Sequence, residues 1–191
     1  LMATADIAGA VRIYDTSVTP PARTAPAMDV HAGTVFGLAL RPDGRLLASV
    51  GGDRTLRLWD LADPTDPRVV GEVADAADDT LYAAVFSPDG TLLAVVSNDR
   101  TLRLWDVTTP AAPGLVATVT AVSELHAVAF RPDGRVLAVG GDDGWVSLFD
   151  VSDPAHPVEL GPPLAAAGST VLAVTFTPDG QTLATGGQDR L

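Results

Sequence analysis

The sequence has no cysteine and no lysine. The first absence excludes disulfides, thiolate zinc sites and a cysteine nucleophile, and it fits a reducing compartment such as the cytoplasm. The second leaves arginine as the sole cation, 12 basic against 24 acidic residues and a net charge of −12. A surface of that sign repels nucleic-acid phosphates and anionic lipid, so neither is an expected partner. A basic protein surface suits it better. Aromatic residues make up only 5%, so Val, Leu and Ala must fill the core, and a hydrophobic fraction of 47% is ample for one. No apolar run approaches the roughly 18 residues of a membrane span. The opening LMATADIAGAVRIYD lacks the basic start and apolar stretch of a signal peptide. Arginine as the only cation, with abundant Ala, Pro, Gly and Asp, points to a GC-rich bacterial coding sequence.

What is present is a repeat. Pro-Asp-Gly recurs at Pro42, Pro88, Pro132 and Pro178, in steps of 46, 44 and 46 residues. An aromatic–Asp pair recurs at Tyr14-Asp15, Trp59-Asp60, Trp105-Asp106 and Phe149-Asp150, in steps of 45, 46 and 44. Two independent markers keep one period and one offset, which is the signature of a repeat array. Within a unit, VFGLAL (35–40) runs into Arg41-Pro42-Asp43-Gly44, where proline presets φ and glycine accepts a positive one. LLASV (46–50), a Gly51-Gly52-Asp53-Arg54 turn, TLRLW (55–59) and VVGEV (69–73) follow. These are four short strand signals joined by tight links. Such links are too short for helical crossovers, and no segment sustains a 3.6-residue apolar period. The expected unit is a four-stranded antiparallel sheet, apolar on both faces, that must stack on its neighbours.

RPDGRLLASVGGDRTLRLWD (41–60) and SPDGTLLAVVSNDRTLRLWD (87–106) resemble the core of tryptophan–aspartate (WD) repeat blades. RPDGRVLAVGGDDGWVSLFD (131–150) and TPDGQTLATGGQDRL (177–191) are similar with substitutions. The resemblance covers essentially the whole chain and implies an all-β fold, a β-propeller of four-stranded antiparallel blades. Blades are expected near 31–74, 75–119 and 120–161, with partial ones at 1–30 and 162–191. Propellers close with 4–8 blades, and WD-repeat rings fall at the upper end. Three arrangements fit: an excerpt of a seven- or eight-bladed ring, two copies pairing into one, or a closed four-bladed ring in which the first strand of the last blade completes the first blade. The prolines at 64 and 67, 110 and 113, and 154 and 157 sit before the fourth strand, where an edge tolerates a residue without an N–H. The same Pro-x-x-Pro spacing also occurs in ligands of proline-binding domains.

The resemblance also implies a buried tetrad, which matches fully once, at His31, Ser49, Asp53 and Trp59. A His, a Ser and an Asp together also suit a hydrolase. The histidine position is Ala77, Ala121 and Ala167 in later units, which favours a stiffening role. Val95, Val139 and Phe149 depart from the tetrad as well, while Asp99, Asp143 and Asp189 keep its carboxylate. Asp75, Asp78 and Asp79 form an acidic loop without the glycine-bearing calcium pattern. His126 and His156 have no neighbour at metal-ligand spacing. No phosphate loop, dinucleotide fingerprint, zinc helix or nucleophile elbow occurs, so no cofactor and no metal are expected.

WD-repeat proteins bind partners on the face built from the loops between blades and the turns between second and third strands. By alignment, that face offers Phe36, Tyr82, His126 and Leu172 as second residues of the first strands, and Asn98, Asp142 and Gln188 before the turn aspartate, where the first full unit has Gly52. These slots vary while the frame repeats. Arg54, Arg100 and Arg190 follow the turn aspartate and could form a shared ring of guanidinium groups. Trp145 replaces Thr55 and Thr101, either filling a gap between blades or anchoring an interface. The resemblance therefore implies a non-enzymatic, cytoplasmic protein-interaction scaffold, attached in bacteria to a signalling or regulatory domain. The alternatives are a propeller hydrolase or lactonase, or a small-ligand sensor, using the central channel.

Overall fold

A computed structural model describes residues 1–29 and 31–189. Its described residues contain strands and turns and no helix. The strands group into five antiparallel sheets in chain order. The first holds β1 (Met2–Ala5), β2 (Ala10–Asp15), β3 (Ala22–Arg23) and β4 (Met28–Asp29). The second holds β5 (Val35–Leu40), β6 (Leu46–Gly51), β7 (Leu56–Asp60) and β8 (Arg68–Val73). The third holds β9 (Leu81–Phe86), β10 (Leu92–Ser97), β11 (Thr101–Asp106) and β12 (Gly114–Thr120). The fourth holds β13 (Leu125–Phe130), β14 (Val136–Gly141), β15 (Trp145–Asp150), β16 (Val158–Glu159) and β17 (Leu164–Ala165), and the fifth β18 (Val171–Phe176) and β19 (Leu183–Gly187).

Each Pro-Asp-Gly corner folds alike. The glycines Gly44, Gly90, Gly134 and Gly180 have φ of 72°, 73°, 74° and 70°, a region that costs a side-chain-bearing residue energy. Their N–H groups bond back to the residue three earlier at 2.8 Å. The aspartate of each corner accepts the amide two residues on, as Asp43 does from Arg45 at 2.9 Å. The Asp of each aromatic–Asp pair does the same for the loop that follows, Asp106 accepting from Thr108 N at 2.8 Å and Asp150 from Ser152 N at 2.9 Å. One type of local hydrogen bond thus opens both recurring turns.

The core lies between sheets. Along β6 every residue is buried, and alternate side chains face opposite neighbours, as a period of two requires. Leu47 packs with Val11 and Ile13 of the first sheet, whereas Ala48 and Val50 pack with Leu81, Leu93 and Val95 of the third. Equivalent apolar clusters join the third sheet to the fourth and the fourth to the fifth. The first strands lie side by side, β5 on β9, β9 on β13 and β13 on β18. The result is an arc of propeller blades.

The outer strands add one feature, and one of the three arrangements is excluded. The fourth strand is not continuous in the first and fourth sheets, where β3/β4 and β16/β17 each pair with one partner strand in two short pieces. Pro26 and Pro162-Pro163 stand in the breaks, where a missing N–H cannot continue the ladder. The closed four-bladed ring is excluded as drawn: β18 and β19 form their own sheet and pack on the fourth, and do not complete the first.

Candidate functional site

The variable slots share one backbone device. In the pairing of β5 with β6, Val35 faces Gly51 and Gly37 faces Val50, so Phe36 is an extra residue without a partner. Tyr82, His126 and Leu172 are skipped in the same way in the next three sheets. Each slot is a β-bulge, which frees one side chain from the alternation of its strand and re-aims it. The freed side chains meet across blades. The Phe36 and Tyr82 rings lie 4.8 Å apart and tilted, and Tyr82 meets His126 edge-on at 4.4 Å. Both geometries are favourable for aromatic pairs. Phe36 and Leu172, on outer members of the row, stay about half exposed at 47% and 50%.

The turn before the third strand braces the rim of this row. Asp53, Asp99 and Asp189 accept an amide from the preceding interblade loop, from Ala32 at 3.0 Å, Asp78 at 2.9 Å and Gly168 at 2.9 Å. Arg54 and Arg100 adopt φ of 60° and 68°, and Gly144 occupies the same place at 80°. Their carbonyls in turn receive amides of the interblade loop, Ala76 N at 2.9 Å, Ala121 N at 2.8 Å and Ala166 N at 3.0 Å. Arg54 is turned to Asp75 at 2.6 Å, so its guanidinium is paired within its own rim. Arg190 lies outside the described residues. Among the other slots, the backbone N–H of Gly52, Asn98, Asp142 and Gln188 donates to the residue before the first strand. The Asn98 side-chain oxygen is buried without a hydrogen-bond partner.

His31, Ser49, Asp53 and Trp59 come together as a hydrogen-bonded chain. The Trp59 indole donates to Ser49 Oγ at 3.0 Å, Ser49 Oγ lies 2.7 Å from His31 Nε2, and His31 Nδ1 lies 2.9 Å from Asp53 Oδ1. A proton on Nδ1 satisfies every member. The His31 side chain is fully buried and so closed to a substrate. Burial lowers its pKa, against the pull of Asp53. Burial would raise Asp53, but His31, the Ala32 amide and Arg57 outweigh it and hold it at about 2. Arg57 is a member that the sequence reading missed: its Nη1 reaches Asp53 at 3.1 Å and its Nε reaches Glu72 at 3.2 Å. Arg103 to Asp99 at 2.8 Å repeats the pairing, and in the first sheet, where Ala8 stands at the turn-acid position, Arg12 turns to Asp6 at 2.7 Å. The signal was in the sequence, as an arginine two residues before the aromatic in three of the four pairs, at Arg12, Arg57 and Arg103. In the third sheet Val95 offers no acceptor, and the Trp105 indole N–H is buried without a partner.

The fourth blade differs. Ala121, Val139 and Phe149 replace three tetrad members, and Ser147 replaces the arginine. A cavity of about 200 Å³ opens there, lined by these residues with Leu102, Val119, Leu125, Asp143, Trp145 and Glu159. Trp145 is 46% exposed at its edge, lining the cavity while open to solvent. Glu124, His126 and Asp142 bring ligand atoms within 4.8 Å of one another, a group able to hold a cation that sequence spacing did not suggest for His126. His126 Nε2 already lies 2.7 Å from Asp142 Oδ1, to which Thr170 Oγ1 donates at 3.1 Å. His156 pairs with Asp153 at the surface at 2.9 Å. The acidic loop does not converge on one point: Asp75 faces Arg54, Asp78 gives its amide to Asp99, and Asp79 accepts from Thr80.

Comparison with known proteins agrees with this architecture. The model of the WD domain, G-beta repeat, matches residues 24–60, 73–106, 115–150 and 163–191. Protein Notchless of Drosophila melanogaster is 50% identical over 44 residues, which cover 23% of this chain and 9% of that protein. A chain in the crystal structure of a mitotic checkpoint complex superposes with a TM-score of 0.82 at 23% identity, over 98% of this chain and 56% of that one. The present chain thus spans about half of that propeller's chain and a small part of Notchless, and the first likeness concerns the fold alone. With four matched repeats over more than half its length, the chain belongs to the WD domain, G-beta repeat family.

Proposed function

We propose that the chain is a protein-interaction scaffold whose binding face is the bulge row of Phe36, Tyr82, His126 and Leu172 with the turns of Asn98, Asp142 and Gln188 beside it. The observation that carries this reading is the ring contact of Phe36, Tyr82 and His126 across three blades, at bulged positions the blade cores do not need. A stacked row that opens to solvent at Phe36 is what an interface anchor requires. The family is generally non-enzymatic, and the one Ser-His-Asp set here is sealed inside a blade. Cross-linking of the protein in its native cells tests the reading. Adducts should concentrate on the row and fall away in a Tyr82→Ala variant that melts normally. Adducts that avoid the row would overturn it.

The wider context in this reading is a cytoplasmic signalling or regulatory protein of a GC-rich bacterium, with the ring completed by further blades or a second copy. Support comes from arginine as the only cation, the net charge of −12 and the 56% coverage of the matched propeller chain. That charge favours basic partners over nucleic acid and membranes.

A further inference from the structure

The cavity of the fourth blade has a chemistry that the other blades define. In the second blade the same region holds a guanidinium: Arg57 bridges Asp53 and Glu72 and crowds His31. In the third blade Arg103 serves Asp99, and in the first Arg12 serves Asp6. The fourth blade keeps the turn acid as Asp143 and brings a second, Glu159, from a different register position opposite Phe149, but puts Ser147 at the arginine position and Ala121 at the histidine position. Ser147 Oγ donates to Glu159 at 2.8 Å, and Asp143 accepts only the Trp145 amide, at 3.1 Å, with no cation beside it among the described residues. Asp53 and Asp99 are 9% and 8% exposed beneath their arginines. Asp143 stands open to solvent. The missing side chains leave about 200 Å³, where roughly 150 Å³ is enough to admit a benzene ring. At its edge the exposed Trp145 offers an aromatic face, the best partner for a cation among the aromatic residues.

We propose that this cavity is an arginine-binding site, which takes the guanidinium of an arginine presented by a partner protein onto Asp143 and Glu159 beside Trp145. The planar fork suits two carboxylates, as Arg57 shows in the second blade, and the alkyl stem suits the apolar walls. The net charge of −12 draws a basic partner to it. The site rests on the scaffold reading for the source of the arginine and is separate from the aromatic row.

The test is a titration of the whole protein with the capped peptide Gly-Arg-Gly, followed by the Trp145 indole resonance. The same peptide with citrulline, a neutral isostere, is the control. The arginine peptide should bind saturably and the citrulline peptide at least tenfold more weakly. Ser147→Arg should fill the cavity from within, abolish peptide binding and raise the melting temperature. Asp143→Asn, which keeps an acceptor for the Trp145 amide, should weaken binding at least tenfold with the fold intact. Tyr82→Ala should leave peptide binding unchanged, so failure of the aromatic row and failure of this site are told apart. Equal binding of the citrulline peptide, wild-type binding by Asp143→Asn or Ser147→Arg, or no binding by the wild type at millimolar peptide would each overturn the assignment.

Discussion

At the scale of single residues, the tetrad makes the second blade sensitive to acid. Burial keeps His31 neutral, with a pKa below its ordinary 6.5. The unfolded chain therefore binds a proton that the folded one refuses, and stability falls as pH drops below about 6.5. Asp53, lowered from 3.8 to about 2, adds a second loss between those values, worth roughly 2 kcal/mol. Urea midpoints measured against pH should show both steps, and His31→Ala should flatten the first. At neutral pH that substitution should also cost roughly 1–3 kcal/mol, since it leaves the buried Ser49 hydroxyl without its acceptor and opens a void. An unchanged midpoint would contradict the stiffening role. The third blade offers the reverse experiment. Val95→Ser with Ala77→His gives the orphaned Trp105 indole an acceptor and the new hydroxyl a partner. A gain of about 1 kcal/mol is expected, which differential scanning calorimetry would register as a rise of about 2–4 °C.

At the scale of elements, close approach between first strands depends on small residues. A Cβ on Gly37 would lie 2.7 Å from Val50 and 3.0 Å from the Ala83 backbone. Gly37→Val should therefore push the second and third blades apart and cost about 2–4 kcal/mol, read from chemical denaturation. Phe36→Ala, one residue away, should shift stability by less than about 1 kcal/mol because the bulge has lifted its side chain out of the packing. The contrast between adjacent positions is the test. The blade frame was legible because Pro-Asp-Gly, the turn aspartate and the Trp-Asp pair are local hydrogen-bond devices that recur in register. The bulges were not legible, since Leu-Tyr-Ala and Val-Phe-Gly carry no letter that demands an extra residue; only the partner strand reveals the skip. The slots could be chosen from sequence by their variability, but not their ring contacts. The split outer strands were hidden for a similar reason, as prolines near edges are tolerated or disruptive according to which face their N–H would take.

At the scale of the whole molecule, stability resides between sheets, in four apolar clusters each shared by two neighbours. Such a stack is coupled nearest-neighbour fashion. The second and third blades are covered on both faces, while Leu172, Ala173 and Thr175 of the fifth sheet stand exposed. Hydrogen exchange should accordingly be slowest in β6 and β10 and fastest in β18 and β19, and equal protection throughout would refute the shared-interface account. Sedimentation of the protein would show whether a second copy covers the open sheet, as a concentration-dependent doubling of mass. Sequence revealed the stacking, because strands apolar on both faces cannot exist alone. It did not reveal the cavity, which arises from three separate substitutions, Ala121, Val139 and Ser147, that converge only after folding.

The bulged slots have a consequence for how such a protein changes over generations. A residue that its own ladder does not need can be exchanged without disturbing the neighbours that hold the blade together, so each copied blade carries one freely editable letter at a fixed address. Phe, Tyr, His and Leu at those four addresses spell one short message. If the row is the binding face proposed above, rewriting it would retarget the molecule while leaving its architecture untouched.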